Sequence, residues 1–160
     1  MKIGIGYDIH ALRKGRPLIV GGVRIPALKG SVGHSDGDVV LHAIVDAVLG
    51  AAGEPDIGTF FPDKDLRWKG ADSLLFVKEI LKILKRKKIK ITHVDSTLVL
   101  ETPKLGKFKE KIRLNIAKSL RISVGCVGFK AKTNEGFGAI GRGAAIACFA
   151  VASLEKGRGK

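Results

Sequence analysis

Hydrophobic and polar positions alternate with a period of two along residues 2–9, KIGIGYDI, and predict a strand. Two short apolar runs, at 18–20 and 23–25, flank Gly21-Gly22, a hairpin signal. Beyond Gly30 the period changes. Val39, Leu41, Ala43, Val45, Val48 and Leu49 predict a largely buried helix over 39–52, with Asp38 as its N-cap. Residues 53–70 read as a long loop carrying three Asp and the adjacent Phe60 and Phe61; in a compact domain such a loop is a functional or mobile segment. A second helix runs from Asp72-Ser73 to about residue 87, apolar at Leu75, Phe76, Ile80, Leu81 and Leu84 and rich in Lys and Arg on its other face. A strand over 89–101, a third amphipathic helix over 107–120 and a strand over 127–133 follow. The last apolar run, 144–154, predicts a strand, with helix as the alternative its alanines allow. This order indicates an α+β fold: one domain over residues 1–160, a mixed sheet with helices on one face.

Composition adds one strong feature. The chain of 160 residues is 45% hydrophobic and 28% charged, as expected of a globular protein, but carries a formal charge of +14. The excess is uneven. Residues 1–65 hold 7 basic and 8 acidic side chains, a net −1; the remainder holds 22 and 7, a net +15. Nucleic acid, an anionic membrane and a phosphorylated small molecule all become eligible partners. The cationic helices contain one Phe each and no Tyr, which disfavours a single-strand-binding surface and leads to the expectation of no nucleic-acid partner. Residues 144–154 are too few to span a bilayer and no signal-peptide core follows Met1, so no membrane partner and a cytoplasmic location are expected. Cys126 and Cys148 are expected to be free thiols.

Candidate chemistry concentrates in the part without excess charge. Asp8 and His10 lie two apart on a strand and share a face. A carboxylate and an imidazole are both zinc ligands, although a lone D-x-H reads equally as a strand-end turn. His42 lies mid-helix, with Asp38 and Asp46 at i−4 and i+4, positions from which a carboxylate orients an imidazole. With Asp8 and His10 it completes a possible His₂Asp set, and three protein ligands leave a fourth position open. The cluster His34-Ser35-Asp36-Gly37-Asp38 before the helix suits either a phosphate site or plain N-capping. Asp56, Asp63 and Asp65 suit substrate hydroxyls or Asx turns. Near the C-terminus, Lys132, Thr133, Glu135 and Arg142 offer cations, a hydroxyl and a hard oxygen ligand around a glycine-rich turn, without Walker A spacing.

Taken together, GYDIHAL (6–12), GGVRIP (21–26), GHSDGDVVLHAIVDAVLGAAG (33–53), DIGTFFPD (56–63), KGADS (69–73), PK (103–104), KTNEGFGAIGRG (132–143) and IACFAVASL (146–154) closely resemble the 2-C-methyl-D-erythritol 2,4-cyclodiphosphate synthase family of non-mevalonate isoprenoid biosynthesis. The resemblance implies cyclisation of 4-diphosphocytidyl-2-C-methyl-D-erythritol 2-phosphate with release of CMP. It implies Zn²⁺ on Asp8, His10 and His42, Mg²⁺ or Mn²⁺ on Glu135, and His34 and Thr133 at the reacting phosphates. It further implies that Ser35 holds phosphate, that Asp56, Ile57, Gly58, Phe61, Asp63 and Asp65 surround the methylerythritol, and that Lys132 contacts the diphosphate. Leu100, Pro103, Lys104, Leu105, Gly106 and Ala131 would form the cytidine pocket, with Arg142 also in the substrate set. The family is a homotrimer with sites between subunits. Three positions depart from its pattern: Lys132 for a smaller Thr, Ala139 for a common Phe, and Ala144-Ala145 for Glu-Gly. A zinc-dependent phosphoester hydrolase is the alternative reading.

Overall fold

The computed structural model describes residues 1–62, 64–68 and 70–157. Its strands are β1 (Lys2–Lys14), β2 (Leu18–Val20), β3 (Val23–Ile25), β4 (Lys29–Val32), β5 (Ile89–Val99), β6 (Val127–Lys132) and β7 (Ala145–Lys156). The helices are α1 (Val39–Ala52), the single turn α2 (Ile57–Phe60), α3 (Leu74–Lys87), α4 (Lys109–Leu120) and the single turn α5 (Gly138–Gly141). Five strands form one sheet in the order β4-β1-β7-β5-β6, with β5 and β6 parallel and the other pairs antiparallel; β2 and β3 form a separate hairpin. The helices α1, α3 and α4 cover one face, so the α+β expectation of a mixed sheet with helices on one side holds. Among the described residues no helix is long and apolar enough to cross a membrane.

Helix α1 has the bounds its periodicity predicts and is buried almost all round, from Val39 to Ala52. Asp38 caps it, accepting from the N–H groups of Val40 and Leu41. The same fully buried carboxylate accepts from Gly21 and Gly22, whose positive φ angles close the β2–β3 turn. One side chain thus fastens the hairpin to the start of the central helix.

Gly4 and Gly6 set how closely α1 lies on β1. A Cβ on Gly6 would fall 2.0 Å from the Ala43 carbonyl oxygen, and one on Gly4 would fall 2.1 Å from that of Ala47. Beyond the glycines on the same side come Asp8 and His10, so the helix that rests on bare backbone carries His42 to them. The odd positions point the other way. Ile3, Ile5, Tyr7 and Ile9, with Phe149 and Val151 on β7, leave an exposed apolar stripe on the helix-free face.

The structure differs from the sequence reading at three places. Strand β1 runs to Lys14 rather than Ile9, because its polar second half pairs with β4 and with the start of β7. Strand β4, Lys-Gly-Ser-Val, has no alternating apolar pattern and exists through that edge pairing. The 53–70 segment holds the turn α2 and a 3₁₀ turn at Leu66–Trp68 rather than irregular loop alone.

Gly6→Ala is expected to force α1 off the sheet and to lower stability by about 3 kcal/mol, read from urea unfolding midpoints. Gly106→Ala, where an added Cβ meets nothing within 4 Å, is expected to stay within about 0.5 kcal/mol of the parent.

Candidate active site

Asp8 and His10 from β1 meet His42 from α1 in a tight triangle. Asp8 Oδ2 lies 2.9 Å from both His10 Nε2 and His42 Nδ1, and the two nitrogens are 3.2 Å apart. Four ligands at about 2.0–2.1 Å around a tetrahedral cation are separated by about 3.3 Å. The three side chains therefore already hold the edges of one face of such a tetrahedron, and the donor set, two imidazoles and a carboxylate, suits a metal of zinc type. Burial opposes charge on Asp8, but its close contacts with His10 and His42 outweigh this and hold the carboxyl well below the usual carboxylate range. Burial also disfavours a charged His10, yet the hydrogen bond and charge of Asp8, with the Val32 carbonyl, raise its pKa above the ordinary histidine value. Both shifts describe one electrostatic situation: a carboxylate beside which a positive charge is favoured.

The expectation that Asp38 and Asp46 orient the His42 ring is corrected. Asp38 is saturated by its four backbone donors, and Asp46 accepts from the N–H of Ile57 at 2.8 Å. The far nitrogen of His42, Nε2, faces two hydroxyls instead: Ser35 Oγ at 3.0 Å and Ser73 Oγ at 2.9 Å.

The triad opens into a cavity of about 660 Å³ that is also lined by His34, Ser35, Ile57, Gly58 and Phe61, all singled out in the sequence. Trp68 and Phe76 line it too and were not expected. Phe61 stacks on Phe76 at 4.5 Å between ring centroids, with Trp68 edge-on to Phe61 at 5.1 Å, so one wall is aromatic. The periodicity places Phe76 in the core and Trp68 in a loop; the shared signal is that both flank the Asp-rich segment. Asp56 caps α2, accepting from Thr59 N and Oγ1, and Asp65 is paired with Arg67. Neither carboxylate reaches the cavity lining. Asp63 lies outside the described residues.

A second cavity, of about 620 Å³, collects the other half of the candidates: Leu100, Pro103, Lys104, Leu105, Gly106, Ala131, Lys132, Thr133 and Glu135, joined by Lys109. Its floor is tied across strands by Leu100 N–H donating to the Lys132 carbonyl and Asn134 N–H to Glu101. The Thr133 hydroxyl donates to Glu135, which places hydroxyl and carboxylate side by side at the rim. Arg142 lies outside both linings, at the end of α5.

The two cavities sit in one row across the sheet. His10 pairs with Ile146, the adjacent Ala147 with Val99, and Val99 with Lys132. Three strand spacings separate the ends of that row, about 14 Å.

The YgbB family model matches residues 1–155. A 2-C-methyl-D-erythritol 2,4-cyclodiphosphate synthase from Synechococcus sp. (strain JA-2-3B'a(2-13)) is 51% identical over 154 residues, covering 96% of this chain and 98% of its own length. A solved structure of a 2C-methyl-D-erythritol-2,4-cyclodiphosphate synthase superposes with a TM-score of 0.89 at 38% identity, covering 96% of this chain and all of its own. A Plasmodium falciparum IspF in complex with CDP superposes with a TM-score of 0.86 at 36% identity over 98% of this chain and 97% of its own. With the family model matching almost end to end and a relative this similar over the same span, the chain belongs to the YgbB family.

Proposed function

We propose that the chain is a cyclising phosphotransferase that converts 4-diphosphocytidyl-2-C-methyl-D-erythritol 2-phosphate into the 2,4-cyclodiphosphate and CMP. The observation that carries this reading is the Asp8–His10–His42 triangle, with one tetrahedral position left open toward a cavity rimmed by His34 and Ser35. The name of the Synechococcus relative and the CDP held by the Plasmodium structure support the same substrate class.

The phosphate chemistry asks little of the protein as a base. A phosphate monoester with a second pKa near 6 is mostly dianionic at pH 7, so its oxygen attacks the β-phosphorus unaided. The new P–O bond forms as the bond to the α-phosphate oxygen breaks, and CMP leaves with that electron pair. The residues then have two tasks, alignment and charge compensation. His34 and Ser35 hold the attacking phosphate. Lys132 and Thr133 contact the diphosphate, and the 100–106 segment takes the cytidine against Ala131, with Lys104 and Arg142 as further cations. Ile57, Gly58 and Phe61, with Asp56, Asp63 and Asp65 of the same loop, enclose the methylerythritol. Zn²⁺ on the triad and Mg²⁺ or Mn²⁺ on Glu135 supply neutralisation of the phosphoryl oxygens when bound; one carboxylate suffices for the latter because substrate oxygens complete such a site.

The half-sites of one chain are about 14 Å apart along the sheet. The complete site is assembled from two chains, in the homotrimer that the family resemblance implies. The exposed stripe of Ile3, Ile5, Tyr7, Ile9, Phe149 and Val151 supports this, since a patch of that kind on a lone soluble chain marks an interface. The free Cys126 and Cys148 fit a reducing, cytoplasmic location. Lys78, Lys82 and Lys85 of α3 and Lys111 and Lys118 of α4 are exposed helix faces outside both cavities, whereas Lys109 at the start of α4 lines the second one.

Incubation with the substrate and Mg²⁺ is expected to yield CMP and the cyclic diphosphate by ³¹P NMR; a linear phosphate would instead identify a hydrolase. His42→Ala is expected to lose bound zinc and to lower kcat about 100-fold or more, with wild-type zinc content in that variant overturning the reading. Because His10 must be neutral to bind metal and its pKa is raised, zinc affinity should fall as pH is lowered through that value, beginning above the ordinary histidine pKa of about 6.5; isothermal titration across pH 5.5–8.5 checks this. Sedimentation should give three times the monomer mass for the parent and a smaller, inactive species for Ile5→Lys.

A further inference from the structure

Ser73 directly precedes α3, where a serine ordinarily caps the helix, yet its side chain makes no capping bond. It is fully buried, and its hydroxyl is committed elsewhere. The Oγ lies 2.9 Å from His42 Nε2 and donates to Asp36 Oδ1, while the Ser73 N–H donates to Asp36 Oδ2 at 3.1 Å. Asp36 is itself fixed: its N–H donates to the Ala71 carbonyl at 3.0 Å, and the neighbouring His34 carbonyl accepts from Gly70 N–H at 2.6 Å.

The directions of these bonds follow from the groups involved. A carboxylate only accepts, so the Ser73 hydrogen points to Asp36 and the Oγ lone pair is left for a hydrogen on His42 Nε2. An imidazole with its hydrogen on Nε2 presents a bare lone pair at Nδ1, the atom that faces Asp8 and His10. Ser35, the other hydroxyl at Nε2, differs in kind: it lines the cavity, and among the described residues no carboxylate accepts its hydrogen.

We infer that Ser73, backed by Asp36, is a positioning residue that fixes the rotation and tautomer of His42 so that Nδ1 is ready to bind metal. Helix α3 thereby gives up its side-chain cap to support the centre. This rests on the metal reading of the triad, and its test separates the two. Metal-free parent, Ser73→Ala and Asp36→Asn are titrated with Zn²⁺ against a chromophoric chelator, and the ¹⁵N shifts of the His42 ring are recorded before metal is added. Ser73→Ala is expected to bind Zn²⁺ about 10- to 100-fold more weakly, and its ring to pass from a single Nε2–H tautomer to a mixture. Asp36→Asn is expected to move both readouts in the same direction by less, and it carries the test if Ser73→Ala does not fold. Ser73→Thr, which restores the hydroxyl, is expected to recover the tautomer. Unchanged zinc affinity and ring shifts in Ser73→Ala, with binding abolished in His42→Ala, would overturn the positioning role and leave the metal reading intact. Undiminished zinc binding by His42→Ala would overturn the metal reading itself.

Discussion

The contact on which the rest depends is the approach of α1 to β1 over Gly4 and Gly6. The helix contributes Ala43, Ala47 and Ala51 to it, and β7 continues the same floor with Cys148, Ala150 and Ala152, all buried. Small residues on both sides let an all-apolar helix settle deeper than ordinary side-chain packing allows. That depth decides the chemistry. Asp8 and His10 have short reach and stand on the strand; His42 stands on the helix. The spacings of 2.9–3.2 Å among them exist only because the backbones are this close. Packing and coordination geometry are thus a single constraint.

A second layer of organisation comes from how the acidic groups are used. Asp38, wholly buried, is consumed by four backbone N–H groups and holds hairpin and helix together. Asp36 secures Ser73, and Asp46 secures the start of α2. Asp8 alone of this group faces partners that a cation can replace. Four carboxylates close in sequence or space therefore have separate tasks, decided by which donors reach them first. Neutral scaffolding by backbone N–H groups leaves the one uncompensated carboxylate where metal binding can use it.

Much of this was legible in the chain. The 39–52 helix and its Asp38 cap follow from local periodicity and a local hydrogen bond, and both are present. The D-x-H spacing places Asp8 and His10 on one face because strand alternation is a local property. What escaped is non-local. The KGSV strand has no pattern of its own and exists because β1 supplies its partner. Ser73 reads only as the start of a helix, and its hydroxyl lies against a ring 31 residues away. Trp68 and Phe76 become a wall only because both rings pack against Phe61 and each other. The charge asymmetry was visible from the start, but exposed lysines on α3 and α4 account for much of it, and the chemistry lies mainly in the nearly neutral part.

The placement of the two cavities at opposite ends of one row across the sheet has a kinetic meaning. If each complete site takes its triad from one chain and its glycine-rich turn from the next, a solitary chain has all the required residues but no working site. Specific activity then becomes a function of protein concentration: dilution below the assembly threshold acts as an inhibitor that touches no residue. On the same condition, two chains disabled in different halves restore one another in a mixed assembly, because one of its junctions unites two undamaged halves.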